Sequence, residues 1–403
     1  MRIAILRRAP KASVSMDVYA DGLAEGLRAV RPDWTIEEHC PDFRSSRSGL
    51  LQRFDSVAKY YERYWRYPTR IRKLDADIFH IIDHSDGYLS GWLHRAQRPN
   101  VVTCHDLINL IRPETFKGRA QFPLISMTAW RWGVEGMRRA DHVISVSAHT
   151  KQDVIEQLGI PPQSISVIYN AVDSVFRRLP PGEVQAARHQ YGLTPKSFCL
   201  LNVGSNNARK NISAVLAAVE KLKNNGVPIH FWKVGADFNA EQKQFIHSKG
   251  LTSCVAYLGQ PDEATLVRLY NAADCLMAPS LYEGFGLTLL EAMACGTAVI
   301  TGNVSAMPEV VGEAAILADP VDVEAIARAA QRLYEHPDER NELSRLGLKR
   351  VQRFTWKDTA EQAAQIYEKV LRATPLAAAA RAPKFRENHP IKLQSPINSQ
   401  GEP

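Results

Sequence analysis

Short β-rich runs alternate with longer helical patterns along almost the whole chain, and no other feature narrows the fold as much. Runs near 2 to 6, 77 to 81, 100 to 103, 142 to 146 and 165 to 168 are separated by helical segments. A second series follows near 198 to 203, 229 to 234, 254 to 258, 274 to 278 and 297 to 300. Such alternation builds parallel sheet, because parallel neighbours must be joined by a crossover. The series restarts after Pro180-Pro181, and Pro180-Pro181-Gly182 and Thr194-Pro195-Lys196 break the periodicity, which places a hinge around 170 to 196. The expected fold class is therefore α/β, with two Rossmann-like parallel-sheet domains facing across a cleft. The first spans 1 to 170, the second 171 to 355. A final helix at 356 to 372 follows a complete second unit and is placed to pack back across the hinge onto the first domain. Residues 375 to 403 mix Ala, Pro, Gln, Asn and charges without periodicity and read as a disordered tail.

Length agrees with two domains, since 403 residues exceed the roughly 250 to 300 that one core usually supports. A hydrophobic content of 45% with 23% charged residues excludes a largely disordered or fibrous chain. Cys40, Cys104, Cys199, Cys254, Cys275 and Cys295 are scattered, form no Cys-x-x-Cys pair and read as buried thiols in a reducing compartment. MRIAIL runs straight into a strand pattern, leaving no room for a signal peptide, and no apolar stretch has membrane-spanning length. The expected location is cytoplasmic.

The densest chemistry lies between the runs at 274 to 278 and 297 to 300, in Ser280-Leu-Tyr-Glu283-Gly284-Phe285-Gly286-Leu287-Thr288-Leu-Leu-Glu291. Gly284 and Gly286 let backbone approach a ligand, and a helix beginning near Leu287 presents N–H groups and a positive dipole end to an anion. If the segment is mostly helical, Glu283 and Glu291 stand roughly 12 Å apart at about 1.5 Å per residue. That is too far for a glycosidase carboxylate pair, which needs about 5 to 9.5 Å. It suits one carboxylate on a sugar and one on a ribose, with a diphosphate between. The bland alternative, a glycine turn before a buried helix with a solvated Glu291, is equally consistent with geometry alone.

Glu283 to Glu291, within EGFGLTLLEAMACGTAVI, resembles the Glu-x7-Glu motif of the family 4 glycosyltransferases, which have the GT-B fold. The resemblance extends from about Val101 to Leu371 through HVISVSAHTKQDVIEQLGIPPQSISVIYNAVD, LLNVGSNNARKNI and YLGQPDEATLVRLYNAADCLMAPS. It implies that Glu283 contacts donor sugar hydroxyls and Glu291 the ribose, while the backbone from Gly284 through Phe285, Gly286 and Leu287 to Thr288 binds sugar and phosphate. It also implies retention of anomeric configuration without a metal or other cofactor, and a GDP- or UDP-linked hexose donor. A glycan or lipid-linked acceptor in envelope or exopolysaccharide synthesis is expected on the same ground.

In VGSNNARKN a strand, a polar loop and a helix follow in order, with Arg209 and Lys210 at the helix start, where two cations oppose a diphosphate. By resemblance Lys210 is the diphosphate lysine. Position 205, often arginine in relatives, is serine, which points to Arg209 as the second cation. His105-Asp106 follows the run Val101-Val102-Thr103-Cys104, at the carboxyl end where open parallel sheets bind ligands, and VVTCHDL resembles the family's donor-facing histidine. The first loop departs from the family's glycine-rich pattern. It reads Arg7-Arg8-Ala9-Pro10-Lys11-Ala-Ser13-Val-Ser15-Met-Asp17, whose serines and Asp17 suit a helix cap or the acceptor and whose cations suit a phosphate-bearing acceptor.

From Arg44 to Lys73 nine basic residues face two acidic ones, Asp55 and Glu62. On a helical wheel Phe54, Val57, Ala58, Tyr61 and Trp65 form one expected core face, Tyr60, Tyr64 and Tyr67 a second, and Lys59, Arg63 and Arg66 a third. The two outer faces suit peripheral contact with an anionic membrane, and no nucleic-acid motif accompanies them. Three other functions compete. A dinucleotide oxidoreductase is disfavoured because Gly284-Phe-Gly286 lacks the third glycine, and an epimerase lacks motif support. A non-catalytic sugar-nucleotide or polysaccharide-binding protein of the same fold shares every motif.

Overall fold

The computed structural model describes residues 1–9, 14–42, 58–112 and 123–373. The expected tail at 375 to 403, part of the first loop, and Phe54 and Val57 lie outside them. The first sheet comprises β1 (Arg2–Leu6), β2 (Thr35–His39), β3 (Ile78–Ile81), β4 (Asn100–Cys104), β5 (His142–Ser145) and β6 (Ile165–Val167), in the order β2-β1-β3-β4-β5-β6. The second comprises β7 (Phe198–Gly204), β8 (Ile229–Gly235), β9 (Val255–Tyr257), β10 (Cys275–Ala278), β11 (Ala298–Gly302) and β12 (Ile316–Ala318), in the order β12-β11-β10-β7-β8-β9. Every pairing is parallel. Strands β3, β4, β5, β10 and β11 are buried at every position, which is why they read as continuous apolar runs.

Two strands escaped the sequence reading. β2 is an edge strand of mostly exposed residues, Thr-Ile-Glu-Glu-His, and β12 has only three residues. Apolar periodicity cannot mark either.

Each sheet carries apolar cores on both faces. One face of the first sheet is covered jointly by the helix Val14–Val30 and the helix Trp356–Ala373, so the chain's last described helix packs with its first. Buried His80 ties them, with Nδ1 2.6 Å from the Tyr367 hydroxyl and Nε2 2.7 Å from Thr103 Oγ1, which in turn lies 3.0 Å from the Tyr19 hydroxyl. Burial, with His105 adding to it, lowers the His80 pKa to about 3, so the ring is neutral and bonds through both nitrogens. Arg31 clasps Glu361 bidentately at 2.7 and 2.8 Å. All six cysteines are free thiols. No helix among the described residues is long and apolar enough to cross a membrane.

The two helices approach closely at Gly26, where an added Cβ would lie 2.8 Å from both the Ala360 Cβ and the Trp356 carbonyl oxygen. In an ordinary helix interior, Gly→Ala adds about 0.5 to 1 kcal/mol of stability. Here Gly26→Ala is expected to cost about 1 to 3 kcal/mol through overpacking, read from the urea midpoint. A stabilised Gly26→Ala protein would show that the helices do not pack as described.

Candidate active site

In the second sheet the strand order reverses between β7 and β10, and the loops leaving their carboxyl ends meet at that switch point. After Gly204 (φ +132°), a 3₁₀ turn Ala208–Lys210 leads to Asn211 in the left-handed region (φ +59°). Asn211 pays for that conformation with its amide, which donates to the Pro279 and Pro320 carbonyls at 3.0 and 2.6 Å. The Leu281 amide donates to the Arg209 carbonyl at 2.7 Å, stitching the two loops together. Lys233, fully buried on β8, supports them from below by donating to the Gly204 carbonyl at 2.7 Å. Burial, and next Lys210, lower its pKa to about 8. Nothing in the sequence separated Lys233 from an ordinary strand residue.

Glu283, 7% exposed, lies between these loops. Lys210 Nζ is 2.7 Å from its Oε1, which also accepts from Ser280 Oγ at 2.8 Å, and Arg209 Nη1 pairs with Oε2. Burial pushes the carboxyl pKa up, but Lys210 and Arg209 together outweigh it and hold it at about 2. Glu283 is therefore ionised throughout the physiological range and is no general acid. Burial opposes the Arg209 charge, which Glu283 and then Asp106 restore, so its pKa is raised overall.

The helix Leu287–Ala294 starts directly after Gly286 (φ +107°). It covers only the second half of the Glu283 to Glu291 segment, so the helical ruler applied to the sequence does not measure that span. Among the described residues no acceptor meets the amides of Phe285, Gly286, Leu287 or Thr288. These are the donors an anion would use. The Phe285 side chain faces away from that role. It is buried with Val146, Leu290, Val310 and Phe354 between the domains, leaving only its backbone to the site. Glu291, half-buried, accepts from the Tyr270 hydroxyl at 2.6 Å. Burial raises its pKa, against the lowering effects of Tyr270 and Lys210.

The first domain presents His105 and Asp106 opposite. The His105 ring is 2.8 Å from the Ile82 carbonyl through Nε2 and stands edge-on to Tyr19 at 4.8 Å. A carbonyl only accepts, so Nε2 carries the proton and Nδ1 is left as an acceptor. Burial, and then His84, lower the His105 pKa and favour that neutral form. The His105 carbonyl oxygen would lie 1.8 Å from a Cβ at Gly284, so only glycine fits where the domains touch. Asp106 Oδ1 accepts the Ile108 amide at 3.2 Å, at the start of the short helix after β4.

The first loop is differently employed than its composition suggests. Arg7 is paired with Asp17, Asp21 and Glu38, and Lys11 lies outside the described residues. Arg8 pairs with buried Asp83 at 3.3 Å. Asp83, and Asp86 with its partner Arg63, are cleft-side groups that sequence reasoning missed. So are the residues joining the domains: Tyr282, whose hydroxyl donates to Asp153, and Ser147, Thr150 and Glu309. Their partners stand more than a hundred residues away, and no local pattern marks them.

Two family models meet almost end to end on the chain, "Glycosyltransferase Family 4" over residues 4–176 and "Glycosyl transferases group 1" over 183–350. The serotype-specific mannosyltransferase WbdA of Escherichia coli is 28% identical over 316 residues, which is 75% of this chain but 38% of that protein. The chain thus spans well under half of that relative. The O-antigen chain mannosyltransferase B of Escherichia coli is 29% identical over 280 residues, 68% of this chain and 71% of its own. Among solved structures, sucrose-phosphate synthase from Thermosynechococcus elongatus superposes with a TM-score of 0.73 at 24% identity, covering 93% of this chain and 100% of that one. Anabaena HepE in complex with UDP-glucose gives 0.70 at 20% identity, covering 92% and 100%. Both halves of the chain are thereby accounted for, the first sheet by one model and the loops around Lys210 and Glu283 by the other, and the chain belongs to the family 4-type glycosyltransferases of GT-B fold.

Proposed function

We propose that the protein transfers a hexose, of mannose or glucose type, from a GDP- or UDP-linked donor to a glycan or lipid-linked acceptor in envelope polysaccharide synthesis, with retention and without a metal. The observation that carries this reading is the placement of Lys210 and Arg209 at the sheet's switch point beside four amides that meet no acceptor among the described residues. A diphosphate seated there gains two cations and a helix N-terminus, which together oppose the charge that develops on its bridging oxygen. Glu283, ionised and fixed by the same cations, accepts from sugar hydroxyls. Glu291 accepts from the ribose. His105 Nδ1 accepts a further sugar hydroxyl, and Asp106 lies beside it at the mouth of the cleft. In the proposed front-face step the acceptor oxygen bonds to the anomeric carbon as the carbon–oxygen bond to the diphosphate breaks. The acceptor's proton passes to the departing phosphate oxygen.

The same reading extends to the membrane, with the patch relocated. The face drawn as core from the sequence points outward: Ala58 is exposed and Tyr61 and Trp65 are 59% and 57% exposed, while Glu62 and Tyr67 are buried. Arg63 is engaged with Asp86, and Arg66 leans on Glu62. Nearby, Arg95, Arg138 and Arg139 line a recess of about 420 Å³ with Trp92, Trp132 and Tyr88, and enter no ion pair among the described residues. Arginines beside the exposed Trp132 suit an anionic headgroup layer, at about 1 kcal/mol per cation near the surface.

Three outcomes follow from these roles. In excess EDTA, wild-type turnover is expected to persist, and Glu283→Ala to run at least about a hundredfold slower, equivalent to roughly 2.7 kcal/mol. Magnesium-reversible loss of wild-type activity removes the metal-free mechanism, and near-normal kinetics in Glu283→Ala remove that residue from it.

Because the Glu291 pKa is raised by burial, its carboxylate opposes folding once ionised. Glu291→Gln, which can still accept from Tyr270, is expected to raise the melting temperature at pH 7 while weakening nucleoside diphosphate binding. The stability gain should fade as pH falls toward the unfolded carboxylate value of about 4.3, where wild-type Glu291 is already protonated. A variant less stable than wild type at pH 7 contradicts this.

Co-sedimentation with phosphatidylglycerol vesicles at low salt, and not with phosphatidylcholine alone, is expected for the wild type. Arg95→Glu, Arg138→Glu and Arg139→Glu together should abolish it. Equal recovery with both vesicle types would leave the recess without a lipid role.

A further inference from the structure

The carbonyl of Gly284 is held by the opposite domain. It accepts from Ser147 Oγ at 2.8 Å and from Thr150 Oγ1 at 3.1 Å, and both hydroxyl residues are fully buried at the start of the helix Ala148–Leu158. A carbonyl oxygen has two lone pairs, so these two donors saturate it. Ser147 Oγ meanwhile accepts the Thr150 amide at 3.0 Å as the cap of its own helix, which fixes its position.

The peptide that begins with this carbonyl ends with the Phe285 N–H. In a trans peptide the two point in opposite directions, so the hydroxyls that pull the carbonyl toward the first domain turn the Phe285 N–H away from it. That N–H meets no acceptor among the described residues. Rotation of the peptide is blocked on both sides. Gly284 is pressed against the His105 carbonyl, and the Phe285 ring is anchored between Tyr169 and Phe354 at 6.0 and 5.9 Å.

The helix bearing the two hydroxyls is itself clamped from the second domain. The Glu309 carboxylate accepts from the Ala148 amide at 2.8 and 3.0 Å, from the His149 amide at 3.3 Å and from the Tyr169 hydroxyl at 2.8 Å. A carboxylate on the first amides of a helix is favoured both by hydrogen bonding and by the helix dipole. A short way before Glu309, Ser305 Oγ accepts the Glu283 amide at 2.9 Å. The polar contacts thus close a ring, from the Glu283–Gly284 loop to Ser147 and Thr150, through Glu309 and back by Ser305.

We infer that Ser147 and Thr150 are positioning residues contributed by the first domain, which aim the Phe285 amide at the donor's diphosphate, and that Glu309 holds their helix in place for this. The inference rests on the reading that the diphosphate binds at Lys210 and the amides beside it. Donor affinity then depends on hydroxyls that do not touch the donor.

Calorimetric titration with UDP and with GDP tests this, using whichever binds the wild type. Thr150→Val keeps the shape and loses the hydroxyl, whereas Thr150→Ser keeps the hydroxyl and loses a methyl group. Thr150→Val is expected to bind at least tenfold more weakly, with Thr150→Ser within threefold of wild type. A role in packing alone predicts the reverse order, because the serine opens the cavity. Loss of binding in Lys210→Ala but not in Thr150→Val overturns the inference and leaves the diphosphate site standing. Tight binding in both, or no binding of either nucleotide to the wild type, overturns the inference and the site together.

Discussion

A buried carboxylate must be neutralised, and at the carboxyl edge of the second sheet Glu283 is neutralised by Lys210 and Arg209. An unpaired Glu283 at this depth would take up a proton or unfold its loop. The pairing therefore determines how the loops after β7 and β10 run. Arg209 must turn inward, which the 3₁₀ turn and the left-handed Asn211 accomplish, and the Leu281 amide then docks on the Arg209 carbonyl. What results is a cluster whose formal charge is one positive, beside backbone N–H groups that meet no acceptor among the described residues. A charge imbalance of that sign, kept at a switch point, is suited to an anionic ligand.

The same loop joins the domains. Gly284 meets the His105 backbone so closely that a side chain is impossible, and Phe285, Leu290 and Val310 pack with Val146 in the apolar contact between them. Proposed ligand contacts and architectural contacts thus fall on adjacent residues. Glu283 pairs with Lys210 and Arg209, Gly284 is the contact point, and Phe285 is the anchor. The helix Trp356–Ala373 adds a covalent return, crossing from the second domain to the core of the first. Cleft geometry consequently depends on packing far from the chemistry, at Gly26 and Tyr367 among other places.

The strands that are buried on both faces were legible in the sequence, since continuous apolar runs leave few other readings, and so was the glycine-flanked start of the helix at Leu287. Exposed β2 was not, because Thr-Ile-Glu-Glu-His joins the sheet through backbone hydrogen bonds that no side-chain pattern reports. The wheel over 54 to 67 was read the wrong way round: Ala58, Tyr61 and Trp65 do share a face, but it is Glu62 and Tyr67 that turn inward, where Glu62 accepts the Asp42 amide and the Tyr67 hydroxyl donates to the His39 carbonyl. Motif resemblance brought Lys210, Arg209, Glu283 and Glu291 to notice, and the fold does place the first three in one cluster. It could not distinguish Phe285's backbone from its buried ring. Nor could it reveal that Arg7 is paired with three carboxylates, or that Ser147, Thr150 and Glu309 act across the cleft, because such pairings exist only once both sheets have formed.

Glu283 balances Lys210 and Arg209, and in the proposed function the donor diphosphate takes up that positive charge when it binds. The affinity of Glu283→Gln for free UDP or GDP, measured by calorimetry beside the wild type, tests this most directly. Removing the competing carboxylate should leave binding at least as tight as in the wild type. Binding weakened tenfold or more in a folded Glu283→Gln protein would contradict the claim, showing that the carboxylate contributes to the diphosphate site in some other way than by balancing its cations.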